Sequence, residues 1–284
     1  MMKKSYIAAC VVAVAAASAT AARAGEMRVA TGVEGNPYWN ACKRLVPAMQ
    51  GFVDVTCLAT TGSEMNIHLL NEGSADIAFT QSDALAVANA GGKTAGLSKV
   101  SVVGKEFVHL ICNKGSGIDE ASDLEDKKPR PKVLIGNPGS GAATTLQNWI
   151  VEDEDYKNVE PVYGTAAGAN LLKLVNGDYD CALVISALGS KTMQTIDASS
   201  NGKLQLVALD DGDMNDSLGL DGEAVYEWVD IKSSTYPGLM GWWGVEVTQM
   251  DAILVGRDEW INQNREAFDR LSSVLLMNTN LLGQ

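Results

Sequence analysis

The sequence predicts an α/β fold of two similar lobes that face each other across a ligand cleft. Three observations carry this expectation. A short apolar strand, a loop of glycine and small polar residues, and a helix follow one another three times between Met27 and Asn89. The same rhythm restarts at Val133, after a longer extended segment from Val102 to Cys112. The strands end in loops of Gly, Ser, Thr, Asn and Asp, and open α/β sheets collect ligands at the carboxyl ends of their strands.

Taken in order, Met27 to Thr31 reads as the first strand, stopped by Gly32, Gly35 and Pro37, with a helix from about Asn40 to Met49. Val53 to Leu58 is the second strand, and Thr61-Gly62-Ser63 leads into a helix over Glu64 to Asn71 with Met65, Leu69 and Leu70 inward. Ile77 to Thr80 is the third, followed by Gln81-Ser82-Asp83 and an alanine-rich helix reaching Asn89. In the second run, Val133, Leu134 and Ile135 form a buried strand, Pro138-Gly139-Ser140-Gly141 breaks it, and a helix starts near Ser140 or Ala142. Its glycines let backbone N–H groups approach a ligand, and its first turn favours an acceptor or an anion. Val159 to Tyr163 and Asp180 to Ile185 are further strands, each followed by a helix, from about Ala169 and Ser190; Leu204 to Leu209 is one more. The last third is less regular: an apolar segment with Trp242 and Trp243, a strand over Ile253 to Val255, and an amphipathic helix carrying Trp260, Phe268, Leu271 and Leu275. The expected lobes are 25–108 plus 212–284, and 109–211.

The first 24 residues have the charged start, apolar run and Ala22-Arg23-Ala24 site of a secretory signal peptide, cleaved after Ala24. A lipid anchor on Cys10 is disfavoured, because almost no apolar segment precedes it. No other stretch reaches the roughly 18 apolar residues of a membrane span. The formal charge of −13 becomes −16 when Lys3, Lys4 and Arg23 leave with the signal, a poor balance for nucleic acid or anionic membranes. Four cysteines remain and allow three pairings; Cys42 with Cys57 and Cys112 with Cys181 keep each pair inside one lobe.

Catalysis has little to stand on. The chain has two histidines, His68 and His109, neither beside a cysteine or carboxylate at ligand spacing, so both read as structural. Ser140 lacks the glycine two places upstream that a nucleophile elbow needs. Asp210 to Asp216 offers no register with the glycine and glutamate of a calcium loop, so it reads as a solvated acidic turn. No cofactor and no metal are expected. The candidate ligand residues lie on the strand-end loops: Glu34, Asn36, Tyr38 and Trp39; Thr61, Gly62 and Ser63; Gln81, Ser82 and Asp83; Pro138, Gly139, Ser140 and Gly141; Tyr163; Ser186.

The order and spacing of Thr31-Gly32 with Tyr38, Thr61-Gly-Ser-Glu-Met-Asn66, Gly73-Ser-Ala-Asp-Ile-Ala-Phe-Thr-Gln-Ser-Asp83, Pro138-Gly-Ser-Gly141 and Tyr236-Pro-Gly238 resemble the TAXI-type solute receptors of tripartite ATP-independent periplasmic (TRAP) transporters. The resemblance spans roughly residues 27 to 275. It implies a type II periplasmic binding fold whose lobes close on a ligand by hinge motion, a periplasmic location, a membrane permease as partner, and Tyr236 as a further site residue. It also implies a small organic acid or amino acid as cargo; a monomer is expected separately. This chain departs from the family in its first loop, where Glu34, Asn36, Pro37 and Trp39 stand, and at Leu239 to Gly244. None of the candidate loops carries Arg or Lys, so a carboxylate must rely on helix N-termini, hydroxyls and amides, against Glu34 and Asp83. A neutral or lipid-like cargo against Trp39, Trp242 and Trp243 is the alternative, and an exported enzyme the second.

Overall fold

The computed structural model describes residues 25–219, 222–278 and 281–282, so the expected signal peptide lies outside the described residues. The chain runs β1 (Gly25–Ala30), α1 (Pro37–Ala48), β2 (Val53–Leu58), α2 (Ser63–Asn71), β3 (Ile77–Gln81), α3 (Ser82–Ala90), then the long β4 (Leu97–Asn113). It continues through α4 (Asp123–Asp126), β5 (Lys132–Leu134), α5 (Gly141–Glu152), β6 (Glu160–Val162), α6 (Gly168–Asn176), β7 (Cys181–Ser186), α7 (Lys191–Ser199) and β8 (Leu204–Val207). It ends with β9 (Tyr226–Ile231), β10 (Val245–Arg257), α8 (Asp258–Gln263) and α9 (Arg265–Met277).

All strands join one mixed sheet in the order β2-β1-β3-β10-β4-β7-β5-β6, with β8 on β4 and β9 on β10. The parallel stretches β2-β1-β3 and β7-β5-β6 are the two expected βα runs. Between them lie β4 and β10, antiparallel to each other from Gln249–Phe107 to Arg257–Leu97. β10 reaches β3 through Ala252 to Gly256, and β4 reaches β7 through Phe107 to Cys112. These two strands therefore carry the chain between the halves, and two register shifts fall at Ala252/Ile253 and Leu254/Val255.

Each half has its own core. Met27, Val29, Phe79, Leu254 and Leu271 pack in the first, with a satellite group around Ile67 and Leu70. Leu110, Leu134, Leu146, Trp149, Cys181 and Leu206 pack in the second. Met214, Tyr226, Ile231, Tyr236 and Met250 also belong to the second core, although the expected boundary assigned 212–284 to the first lobe. The reason is β9, a strand that no clean alternation announced, which pairs with the first half of β10 and draws that segment across.

Other departures are local. Helix α1 begins at Pro37 rather than Asn40, because proline at the first helical position sacrifices only an N–H that has no intrahelical partner. In α2 the inward side chains are Ser63, Asn66, Ile67 and Leu70, and Met65 is exposed. The C-terminal amphipathic stretch is two helices broken at Asn264. Trp242 and Trp243 sit in a turn and are 95% and 84% exposed, so they belong to neither core nor pocket. Among the described residues no helix is long and apolar enough to cross a membrane.

Both expected disulfides form. Cys42 on α1 bonds Cys57 on β2, with Cα atoms 6.0 Å apart, and pins the first helix to the sheet edge. Cys112 and Cys181 face each other across the β4–β7 pair, with Cα atoms 4.0 Å apart.

Candidate functional site

The parallel strands of each half end toward a cavity of about 370 Å³ between the halves. From the first half it is lined by Gly32, Val33 and Asn36 to Tyr38, by Thr61 to Ser63, by Gln81 and by Glu106. From the second come Gly136, Asn137, Ser140 to Ala142, Thr165 to Ala167, Leu183 to Ser186, Ser190 and Thr192. Six helices, α1, α2, α3, α5, α6 and α7, have their N-cap residue at its wall, so N-terminal N–H groups and positive dipole ends gather around it. Among the described residues no lysine, arginine or histidine lines it. At the mouth the cleft widens into a hollow that shares Asn36, Ala167 and Ser190 and adds Arg44 and Lys191.

Among the described residues the wall contains one carboxylate. Glu106 is buried on β4 and accepts a hydrogen bond from the Tyr38 hydroxyl at 2.6 Å. Burial pushes its carboxyl up to about 7, against hydrogen bonds from Tyr38 and Gln81 that favour the ionised form, and Asp83 adds repulsion. Burial first, then the charge of Glu106, drives the Tyr38 phenol well above its ordinary range. The Tyr38 ring is fixed by stacking on Phe79, 5.4 Å between centroids. Beside Glu106, the Gln81 side-chain oxygen is buried with no hydrogen-bond partner. One end of the cavity thus presents two acceptors, one of them unmet.

Where the two halves meet, the wall is drawn tight by glycines. Gly62 has φ +138°, and a Cβ there would stand 3.1 Å from the Ser140 Cα of the facing half. A Cβ on Gly141 would stand 1.9 Å from the Gln81 oxygen. Ser140 is the N-cap of α5: its hydroxyl accepts from Ala143 N–H and donates to the Ile135 carbonyl. Ser186 and Ser190 bond to each other, and the Ser63 hydroxyl accepts from Gln81 N–H. The Ser63, Ser140 and Ser190 hydroxyls take part in holding loops, so backbone N–H groups, with the Asn36 and Asn137 amides and the Thr61, Thr165 and Thr192 hydroxyls, are the donors of this wall.

Of the candidate residues, Asn36, Tyr38, Thr61, Gly62, Ser63, Gln81, Ser140, Gly141 and Ser186 come together at the cavity. The others lie elsewhere. Glu34 is exposed on the first loop, Trp39 lies under the Lys43 ammonium on α1, and Tyr163 is 56% exposed. Pro138 and Gly139 border a separate hollow with Met65 and His68, and Ser82 borders one with Lys99 and Lys105.

Asp83 is fully buried between the halves. It accepts from Thr145 at 2.6 Å, Tyr226 at 2.9 Å and Ala84 N–H, while burial raises its carboxyl above the ordinary value. Tyr236 is also buried. Its oxygen accepts from Gly189 N–H at 2.8 Å and it donates to His109 Nε2 at 3.2 Å, while His109 Nδ1–H donates to the Val184 carbonyl. This chain needs a neutral imidazole, and burial lowers the His109 titration to about 4. Tyr236 acts behind the wall, steadying Val184 and the Gly189–Ser190 turn.

Glu106 is the cavity-lining carboxylate that sequence reasoning missed. It lies in the segment from Val102 to Cys112 that was read only as extended; its neighbour Lys105 faces out, toward Glu227 and Asp251, while Glu106 faces in. The inward alternation of Leu110 and Val108, carried back two residues, was the available signal.

The sequence profile described as the NMT1-like family matches residues 29–240. Three solved structures illustrate the fold. A protein from Bordetella bronchiseptica RB50 is 16% identical, with 89% of this chain and 70% of that one covered and a TM-score of 0.55. A binding protein component of an ABC phosphonate transporter from Pseudomonas aeruginosa is 14% identical over 90% and 75%, with a TM-score of 0.54. Lactococcal OpuAC, in its closed, liganded conformation with glycine betaine, is 14% identical over 87% and 83%, with a TM-score of 0.53. The shared architecture is the two-lobed α/β fold.

Proposed function

Because this chain belongs to the NMT1-like family and has the two-lobed fold of periplasmic binding proteins, we propose that it is a periplasmic solute receptor that closes on a small ligand and delivers it to a membrane permease. The observation that carries the reading is the cavity of about 370 Å³ at which helices from both halves begin. A ligand held there touches both lobes, so the closed state gains contacts the open state lacks, and cargo shifts the population toward closure.

The chemistry of the wall selects among the cargo classes. Glu106 and the unmet Gln81 oxygen accept hydrogen bonds, whereas the α5 and α7 N-termini donate them. A small amino acid satisfies both ends, its ammonium at Glu106 and its carboxylate at the helix N-termini. A plain dicarboxylate would place like charge on Glu106 with no side-chain cation in the wall. The lipid-like alternative loses its anchors, since Trp39, Trp242 and Trp243 do not line the cavity.

Two features support export: the secretory pattern of residues 1–24 and the two disulfides. The TAXI resemblance makes a TRAP permease the proposed partner; a monomer is the proposed state. Native mass spectrometry of the exported protein, then denaturing extraction, tests the reading: a co-purified amino acid is the expected result, and a lipid or an empty protein that binds no small solute contradicts it.

A further inference from the structure

The two halves meet along a seam that follows the start of α5, and the contact changes in kind from its inner to its outer end. At the inner end it is buried and bonded: Asp83 accepts from Thr145 at 2.6 Å and from Tyr226 at 2.9 Å. This end lies beside a strand that crosses between the halves, since Gln81 pairs with Ala252 and Tyr226 with Met250, both on β10. At the outer end the contact is bare. A Cβ on Gly62 would stand 3.1 Å from the Ser140 Cα and 3.4 Å from the Gly141 nitrogen, so backbone rests on backbone. A Cβ on Gly139 would stand 3.0 Å from the Thr61 hydroxyl oxygen and 3.9 Å from the Met65 Cβ. Among the described residues no hydrogen bond joins Thr61, Gly62 or Met65 to Gly139, Ser140 or Gly141.

Other glycine loops of the cleft stand clear. Gly35, Gly168 and Gly189 have nothing within 4 Å of the same added Cβ. Between α1 and α7 the halves stand apart around a hollow of about 520 Å³. The seam is also a thin wall. Thr61, Gly62 and Ser140 line the cleft cavity on one side, and Met65, Pro138 and Gly139 line a hollow of about 580 Å³ on the other.

We propose that this seam is the latch of the receptor. The halves pivot at Asp83, and the Thr61–Gly62 loop lifts off the Gly139–Ser140 turn, joining the cavity to the neighbouring hollow. Parting the outer end breaks no described hydrogen bond and forfeits only van der Waals contact. Parting the inner end would strand a buried carboxylate, which costs more. The missing side chains at Gly62 and Gly139 let the two loops seat on each other, so their bareness sets how far the halves close. The latch rests on the two-lobed receptor reading and adds to it which contact is made last.

The test needs no identified cargo. Met65→Cys with Gly139→Cys places two Cβ atoms 3.9 Å apart, within disulfide reach. The exported protein is freed of cargo by unfolding with its native disulfides intact, then refolded. Mild oxidation should form one further disulfide, and small-angle scattering should then give a smaller radius of gyration than before oxidation, when the seam is free to open. Gly139 has φ +79°, which strains any side chain there. If that pair does not fold, a short bifunctional thiol reagent joins Met65→Cys to Pro138→Cys on the same hollow instead. In either pair, failure to link, or equal radii linked and unlinked, overturns the latch. Cargo is read separately: a protein that links and compacts but takes up nothing from an equimolar mixture of the common L-amino acids fails the cargo reading alone.

Discussion

Tyr38 donates its hydroxyl to Glu106 at 2.6 Å, inside a cavity wall that contains no lysine, arginine or histidine. That pair defines the polarity of the site. A buried carboxylate held by the Tyr38 and Gln81 side chains still has acceptor capacity left over, which the proposed cargo ammonium would use.

The same pair sets a pH dependence. The Glu106 carboxyl titrates near 7 in the folded protein against about 4.5 when exposed, so the native state prefers it protonated. Its contribution is fully present below pH 4.5 and is lost as pH rises through 7, at a cost of order 3 kcal/mol. Glu106→Gln should therefore be more stable than the wild type at pH 8, with the gap closing by pH 4.5. Denaturant unfolding of the cargo-free protein at both pH values checks this.

His109 works in the opposite sense. Its imidazole titrates near 4 when folded and near 6.5 when unfolded, so stability is fully present above pH 6.5 and falls as pH drops toward 4, again by about 3 kcal/mol. His109→Gln should flatten the acid limb of the stability profile while lowering stability at pH 7. Tyr236→Phe, which removes the bonds to Gly189 and His109, should cost ~1–3 kcal/mol and loosen the cavity wall at Ser190.

Gly141→Ala places a methyl group 1.9 Å from the Gln81 oxygen, so Gln81 must leave its position. Its backbone φ needs no glycine, and the predicted result is selective: cargo affinity down at least ~10-fold with stability down by ~1–2 kcal/mol. Calorimetry beside thermal unfolding separates the two.

Asp83 joins the halves through Thr145 and Tyr226. Thr145→Val removes one of these donors and leaves the carboxylate short of partners. The expected cost is ~1–3 kcal/mol, together with a changed balance of open and closed forms. Small-angle scattering with and without cargo measures the second effect.

Much of this architecture was legible in the chain. The βα rhythm depends on local patterning, and both disulfides followed from assigning each pair to one half. Residues whose position depends on another segment were harder. Pro37 reads as a loop breaker but opens α1, which turns Tyr38 inward toward Glu106 and leaves Trp39 half-buried beside it. Asp83 reads as a strand-end ligand but is drawn inward by Thr145, 62 residues on, and Tyr226, 143 residues on. Strand β9 lies beside β10 only because a turn holding two exposed tryptophans brings them together. Glu106 lay in a segment read only as extended, and the alternation with Val108 and Leu110 that turns it inward was not drawn.

The most direct test of the account is calorimetric titration of wild type and Glu106→Gln with the amino acid recovered from the exported protein, at pH 8. The account predicts micromolar or tighter binding to the wild type and a loss of ~100-fold or more in the variant, about 3 kcal/mol, although the variant is then the more stable fold. Equal affinity for both proteins would contradict it and remove Glu106 from the site.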